Sequence, residues 1–209
     1  RGGFLHAPDM YMEKIAVGPT ARGAIDINES PTVNLQRVAD AKKCYIEDLT
    51  VVILDRPRHD KIVDAIRKAG ARIHLITDGD VAPAIAAAVE GSGVDMLLGI
   101  GGAPEGVLAA AALKCMGGDM QGRLVFMNDE ERERAKGMGI DDFDKVYQCN
   151  EMANGDVVFA ATGVTSGELL RGTRYYSGGA ETHSIVMRSK TRTIRFVETR
   201  HTFDYKPKY

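Results

Sequence analysis

The chain has 209 residues, with 27 Lys and Arg against 29 Asp and Glu, for a formal net charge of −2. That near-balance argues against a surface built mainly to grip nucleic acid, and no apolar run approaches the roughly 18 residues of a membrane span. The three cysteines, Cys44, Cys115 and Cys149, are odd in number and far apart; they suggest neither a disulfide framework nor a cysteine zinc site and point to a reducing, cytoplasmic setting.

The chain opens RGGFLHAPDM with no initiator Met, so further sequence is expected upstream. Residues 1–20 lack the basic start and apolar run of a secretory signal. Residues 1–30 are punctuated by Gly and Pro, with GPTARG at 18–23 reading as a loop. Ser30 before Pro31 is a helix start, a hydroxyl cap and then Pro in the first turn, which predicts a helix over 32–45. A strand–helix alternation follows. Residues 49–54 (LTVVIL) form a continuous β-branched run, as a strand buried on both faces should. Residues 60–69 place Ile62, Val63 and Ile66 on one helical face, with Gly70 as the stop. Residues 72–76 read as strand, 81–89 as helix, 94–98 as strand and 105–116 as helix. This order implies parallel strands joined by right-handed helical crossovers. Beyond residue 118 the pattern changes: a charged helix over 129–136, then short strands near 145–149, 157–161, 183–188 and 193–198. The last two are close enough to pair antiparallel. The Lys- and Arg-bearing tail over 188–208 reads as the charged face of an edge strand rather than a nucleic-acid surface.

In a parallel α/β sheet, ligands bind beyond the carboxyl ends of the strands. The three segments expected there are DRPRH (55–59), DGD (78–80) and GIGGAPEG (99–106). Arg56 and Arg58 offer planar donor forks for phosphate or carboxylate, or are solvated or paired with Asp55. Asp78 and Asp80 suit sugar hydroxyls, a metal or acid–base work; Asp80 alternatively caps the helix that starts at Val81. The glycine-rich segment reads as a turn opening a helix. Its spacing departs from a dinucleotide fingerprint, and Pro104-Glu105 puts an acid where a pyrophosphate would sit. Glu105 is either a metal ligand or a favourable charge at the helix N-terminus. Of the histidines His6, His59, His74, His183 and His201, none has paired metal spacing. HLITDGD also resembles the DxD strand motif of dehalogenase-type phosphatases, with Asp78 as nucleophile, although Val81-Ala82 follow it where that motif ends in Gly-Thr or Gly-Val.

The strings APDMYM (7–12), GPTARGAIDI (18–27), RPRH (56–59), DGDV (78–81), GIGGAPEGV (99–107), GDMQGRL (118–124) and ATGVTSGELL (161–170) together resemble class II fructose-1,6-bisphosphatase. This is the bacterial type, whose cyanobacterial members also act on sedoheptulose 1,7-bisphosphate. The resemblance implies the layered α/β sugar-phosphatase fold shared with inositol monophosphatase, mainly its C-terminal domain. Residues 1–48 would then be the end of an N-terminal domain with a connecting helix, and 49–209 the substrate-binding domain. It implies that Tyr11, Arg56 and Arg58 grip the phosphate that is not cleaved. Asp78, Gly79 and Asp80 would hold sugar hydroxyls, Gly102 would contact substrate through its backbone, and Glu105 would be a ligand of Mg²⁺ or Mn²⁺. The other metal carboxylates and the water-activating Thr of the family would lie upstream, so no catalytic residue is assigned here. A homo-oligomer acting on a small sugar bisphosphate is the implied assembly. The alternatives are a sugar-phosphate-binding domain without catalysis and the dehalogenase-type phosphatase.

Overall fold

The structure is a computed structural model that describes residues 3–167 and 169–205. In chain order the elements are β1 (Tyr11–Val17), α1 (Pro31–Lys42), β2 (Thr50–Leu54), α2 (Asp60–Ala69), β3 (Arg72–Ile76), α3 (Val81–Ala86), β4 (Met96–Gly102) and α4 (Ala103–Met116). Then follow β5 (Asp119–Val125), α5 (Asp129–Gly137), β6 (Val146–Gln148), α6 (Cys149–Met152), β7 (Val158–Thr162), β8 (Arg174–Tyr176), β9 (Gly179–Arg188) and β10 (Thr193–Thr202). Glu168 and residues 206–208, which belong to the 161–170 motif and to the charged tail, lie outside the described residues.

Six strands form one sheet in the order β3-β2-β4-β1-β5-β6. β2 runs parallel to β3 and to β4, as the alternation predicts. β1 then joins β4 antiparallel, and β5 joins β1 antiparallel, so the sheet as a whole is mixed. β1 lies in the Gly- and Pro-punctuated residues 1–30, where the sequence reading named no strand; it is the strand between β4 and β5, so the sheet draws on both sides of residue 48. The segment YMEKIAV hides this because two charges interrupt its apolar pattern. Glu13 is directly opposite Arg123 on β5 and pairs with it at 2.7 Å, while Lys14 points into the protein and is 1% exposed.

A second sheet joins β10, β9 and β7, with β8 also on β9. β9 and β10 are antiparallel, as their spacing predicts. Alternate residues of the large sheet face two cores. Ile15, Val17, Val51, Met96 and Leu98 pack with Leu35 and Val38 of α1 and Ile66 of α2. Met12, Ala16, Val52 and Leu97 pack with α4 and, beyond it, with Ile185 and Met187 of β9. The layers are thus helix pair, six-stranded sheet, helices α3 and α4, and small sheet. α4 is buried nearly all round. Its run of alanines, Ala109 to Ala112, suits this position, since short side chains let a helix lie close to a sheet on either side.

Local signals account for most element ends. The Ser30 hydroxyl accepts from the Val33 N–H, and Pro31 opens α1. The helix stops at Lys42, short of residue 45, because Lys43 turns left-handed. Gly70 and Gly117 end α2 and α4 in the same conformation.

Candidate active site

The parallel run of β2, β3 and β4 brings their carboxyl ends to one end of the sheet, and antiparallel β1 adds its first residue there. Tyr11 is opposite Gly102. The segments singled out from sequence therefore converge, and side chains stitch them together. The Arg56 guanidinium donates to the carbonyls of Asp55 (2.8 Å) and Thr77 (2.7 Å), bridging the ends of β2 and β3. Arg58 donates through two nitrogens to the Ile100 carbonyl, at 3.2 and 2.7 Å. Its guanidinium also lies 4.8 Å from the centre of the Tyr11 ring, a cation–π contact. Tyr11 and Arg58 thus form one unit, and both are exposed to solvent. Arg56 is placed differently, as a brace beside Asp78.

The glycine-rich segment is strand where a turn was expected. β4 continues through Gly102 and enters α4 at Ala103 without a loop, because β1 pairs with it as far as Gly102. Two glycines are required by what surrounds them. Gly99 has φ +138, a conformation side chains rarely adopt, and a Cβ there would lie 3.1 Å from His59 Nε2. A Cβ on Gly101 would lie 2.1 Å from the Asp80 carboxylate.

His59 is a functional-end residue that sequence left unassigned. It is 1% exposed, and its Nε2 accepts from the Ile100 N–H at 2.8 Å. The proton must therefore sit on Nδ1, which donates to the Leu54 carbonyl at 2.7 Å. Burial pushes its pKa down, with the nearby arginines adding to the effect. A neutral His59 thus pins the strand that carries Ile100, the carbonyl on which Arg58 rests.

The acids occupy three different environments. Asp78 is exposed, and its carboxylate accepts from the Gly79 N–H at 2.9 Å. Asp80 is at the start of α3 but makes no side-chain cap, which sets aside the capping alternative. Instead it is 3% exposed, with Oδ2 paired to the Lys14 ammonium. Its Oδ1 is buried and has no hydrogen-bond partner among the described residues. Glu105 accepts from the Gly102 N–H at 3.2 Å, across the first turn of α4. Burial raises its pKa, and the Asp80 charge raises it further. Gly102 is engaged at both backbone groups, since its carbonyl accepts from Lys14 at 2.8 Å. Lys14 itself escaped sequence reasoning; its pKa is lowered, chiefly by burial.

A cleft of about 700 Å³ opens beside this end. Thr77, Asp78 and Gly79 line one side, and Thr162, Thr165 and Ser166 the other. The 161–170 motif therefore faces the DGD segment across open space. The donor set meets the needs of Mg²⁺ or Mn²⁺ only in part. Such ions take near-octahedral oxygen shells, and among the described residues no cluster of three or more His, Cys, Asp or Glu could hold one. Glu105 offers one carboxylate, and these residues do not complete a metal site by themselves.

Comparison with known proteins decides the family. Residues 1–201 match the family described as bacterial fructose-1,6-bisphosphatase, glpX-encoded. The chain belongs to this family. Among the relatives of this bisphosphatase family are proteins named D-fructose 1,6-bisphosphatase class 2/sedoheptulose 1,7-bisphosphatase. That of Synechococcus sp. (strain JA-3-3Ab) is 47% identical over 98% of this chain and 62% of its own length. That of Synechococcus sp. (strain JA-2-3B'a(2-13)) is 48% identical with the same coverage. That of Microcystis aeruginosa (strain NIES-843 / IAM M-2473) is 47% identical over 100% of this chain and 64% of its own length. The chain thus spans a little under two thirds of the relatives it matches. Membership of the bisphosphatase family replaces the dehalogenase-type alternative for Asp78. Among the described residues, no helix is long and apolar enough to cross a membrane.

Proposed function

We propose that the protein carrying this chain hydrolyses the 1-phosphate of fructose 1,6-bisphosphate, with sedoheptulose 1,7-bisphosphate as a second substrate. The observation that carries this reading is the juxtaposition, at one end of the sheet, of the Arg58–Tyr11 unit with the acids Asp78, Asp80 and Glu105. Cationic forks suit a phosphate, and carboxylates suit sugar hydroxyls. The names of the relatives support the same substrates.

In this reading Tyr11 and Arg58 hold the phosphate that stays on the sugar, and Arg56 fixes the Asp78–Gly79 turn while lending charge. Asp78, Gly79 and Asp80 accept or position hydroxyls. The Oδ1 of Asp80 is a buried acceptor that a sugar hydroxyl would satisfy, since an unpaired buried acceptor costs about 1–3 kcal/mol. The Gly102 carbonyl keeps one lone pair for substrate. Glu105 would contribute one carboxylate to Mg²⁺ or Mn²⁺. Binding energy from the remote phosphate orients the reacting end. A homo-oligomer working in the cytoplasm, in gluconeogenesis or the Calvin cycle, completes the proposal.

The lack of a three-acid metal cluster among the described residues favours a second reading, a sugar-phosphate-binding domain without turnover. One experiment separates the two: phosphate release from fructose 1,6-bisphosphate by the full-length protein, with Mg²⁺ or Mn²⁺, alongside calorimetric binding of the same sugar. Metal-dependent release supports the phosphatase. Binding without release, with both metals tried, supports the second reading.

A further inference from the structure

Among the described residues, Lys14 is the one buried charge at this end of the sheet that the functional reading leaves without a task. Its side chain is 1% exposed, and its stem lies beside Met12 and α4: a Cβ on Gly106 would approach both the Met12 sulfur and Lys14 Cδ. An apolar side chain of similar length would suit those walls. Buried ion pairs are poor stabilisers in any case, because taking both charges out of water costs about as much as their attraction returns. The pair is therefore not explained by folding alone.

Its geometry suggests what it does. The ammonium has two acceptors given by the structure, the Asp80 carboxylate and the Gly102 carbonyl. The second bond fixes the ammonium between β1, β4 and the start of α3. The first holds only one oxygen of Asp80, and the other, Oδ1, is left buried and without a partner among the described residues. A carboxylate clamped by one oxygen presents the other in a fixed direction. Gly101 lies against that same clamped oxygen and the Lys14 ammonium, with no room there for a Cβ.

We propose that Lys14 is a positioning residue of the sugar site: it anchors Asp80 through Oδ2 so that Oδ1 is aimed to accept a hydroxyl of the substrate. This rests on the functional reading above. Lys14 touches no substrate and acts through Asp80, so its effect is on substrate affinity and depends on the Asp80 charge.

The test is a double-mutant cycle in the full-length protein, reading KM for fructose 1,6-bisphosphate, or the calorimetric Kd of the same sugar where turnover is absent. The variants are Lys14→Met, Asp80→Asn and the two combined. Lys14→Met is expected to raise KM or Kd at least tenfold when Asp80 is present, and less than twofold when residue 80 is Asn. Where Lys14→Met does not fold, Lys14→Leu, which equally lacks a donor, runs the same cycle. A folded Lys14 variant with wild-type affinity overturns the proposal, as does an equal loss in both backgrounds. A melting temperature that falls with affinity unchanged marks a purely structural lysine and overturns it too. If the wild type is active and the cycle is additive, only the Lys14 proposal fails. If the wild type neither hydrolyses nor binds the sugar, the functional reading fails and this proposal falls with it.

Discussion

At the six-stranded sheet, Lys14 of β1 and, in the segments that follow β2 and β3, His59 and Asp80 are at most 3% exposed, and each is bonded to a strand backbone or to another of the three. On the small sheet, Glu181 bridges Arg174 at 2.7 Å and Arg200 at 3.1 Å, with both arginines largely in water. Arg171 and Glu198 pair in the same exposed way. On paper these are similar contacts between opposite charges. Their surroundings make them different objects. Water screens the outer pairs and replaces either partner easily. The inner pair has no such substitute, so removing one partner strands the other. The difference shows where this chain has committed side chains to fixed positions, and that is the end of the sheet that carries the candidate site.

Substitution separates the inner charges from the outer ones, and the largest effect belongs to the inner pair. Lys14→Met should lower stability by about 3–5 kcal/mol in urea denaturation, and adding Asp80→Asn should restore most of the loss. A single-variant loss below about 1 kcal/mol would show that the pair behaves like a surface contact. Gly101→Ala comes next, since its methyl group must displace the Asp80 carboxylate. It should cost roughly 1–3 kcal/mol and lower kcat/KM, whereas Gly137→Ala, with open space around it, should do neither.

Arg58→Ala removes the cation from the Tyr11 ring and the Ile100 carbonyl. It should raise KM for fructose 1,6-bisphosphate about tenfold, equivalent to about 1.4 kcal/mol, with kcat close to wild type. An unchanged KM would detach Arg58 from the phosphate.

His59 gives a pH signature. Its folded pKa is depressed below 6.5, so between the two values the unfolded chain holds the extra proton. The stability it contributes is complete above about pH 6.5 and is lost as pH falls, by at most about 1.4 kcal/mol per unit for one proton. Denaturation of wild type and His59→Gln at pH 7.5, 6.5 and 5.5 should show this slope in the first and a shallower one in the second. The smallest effect is expected at the outer charges: Glu181→Ala should leave the melting temperature nearly unmoved, at low salt and high.

Much of the frame was legible in the sequence because local physics wrote it. The β-branched run of β2, the apolar face of α2 and the stops at Gly70 and Gly117 need no tertiary knowledge. The three strand-end segments could be predicted to converge because parallel strands share one carboxyl end. What escaped depended on partners distant in the chain. β1 could not be seen as a central strand because Glu13 and Lys14 look like surface residues until Arg123 and Asp80 are set beside them. The four residues 99–102 looked like a turn because glycine usually marks one, and only pairing with β1 makes them strand. His59 was visible as a histidine, but its task follows from an N–H 41 residues away. The roles of Arg56 and Arg58 also differ more than their spacing suggests, since one braces a backbone and the other rests on an aromatic ring.

The placement of β1 has a consequence for the birth of the protein. The strand at the centre of the mixed sheet is made before either of its neighbours. Lys14 must wait for Gly102, 88 residues later, and Glu13 for Arg123, 110 residues later. At about 5–20 residues per second of synthesis, roughly 4–18 s pass between the making of Lys14 and that of Gly102 on β4, and longer before β5 is made. During that interval the apolar residues of β1 have no native partner in the sheet, and the end of the sheet that carries the candidate site cannot be completed.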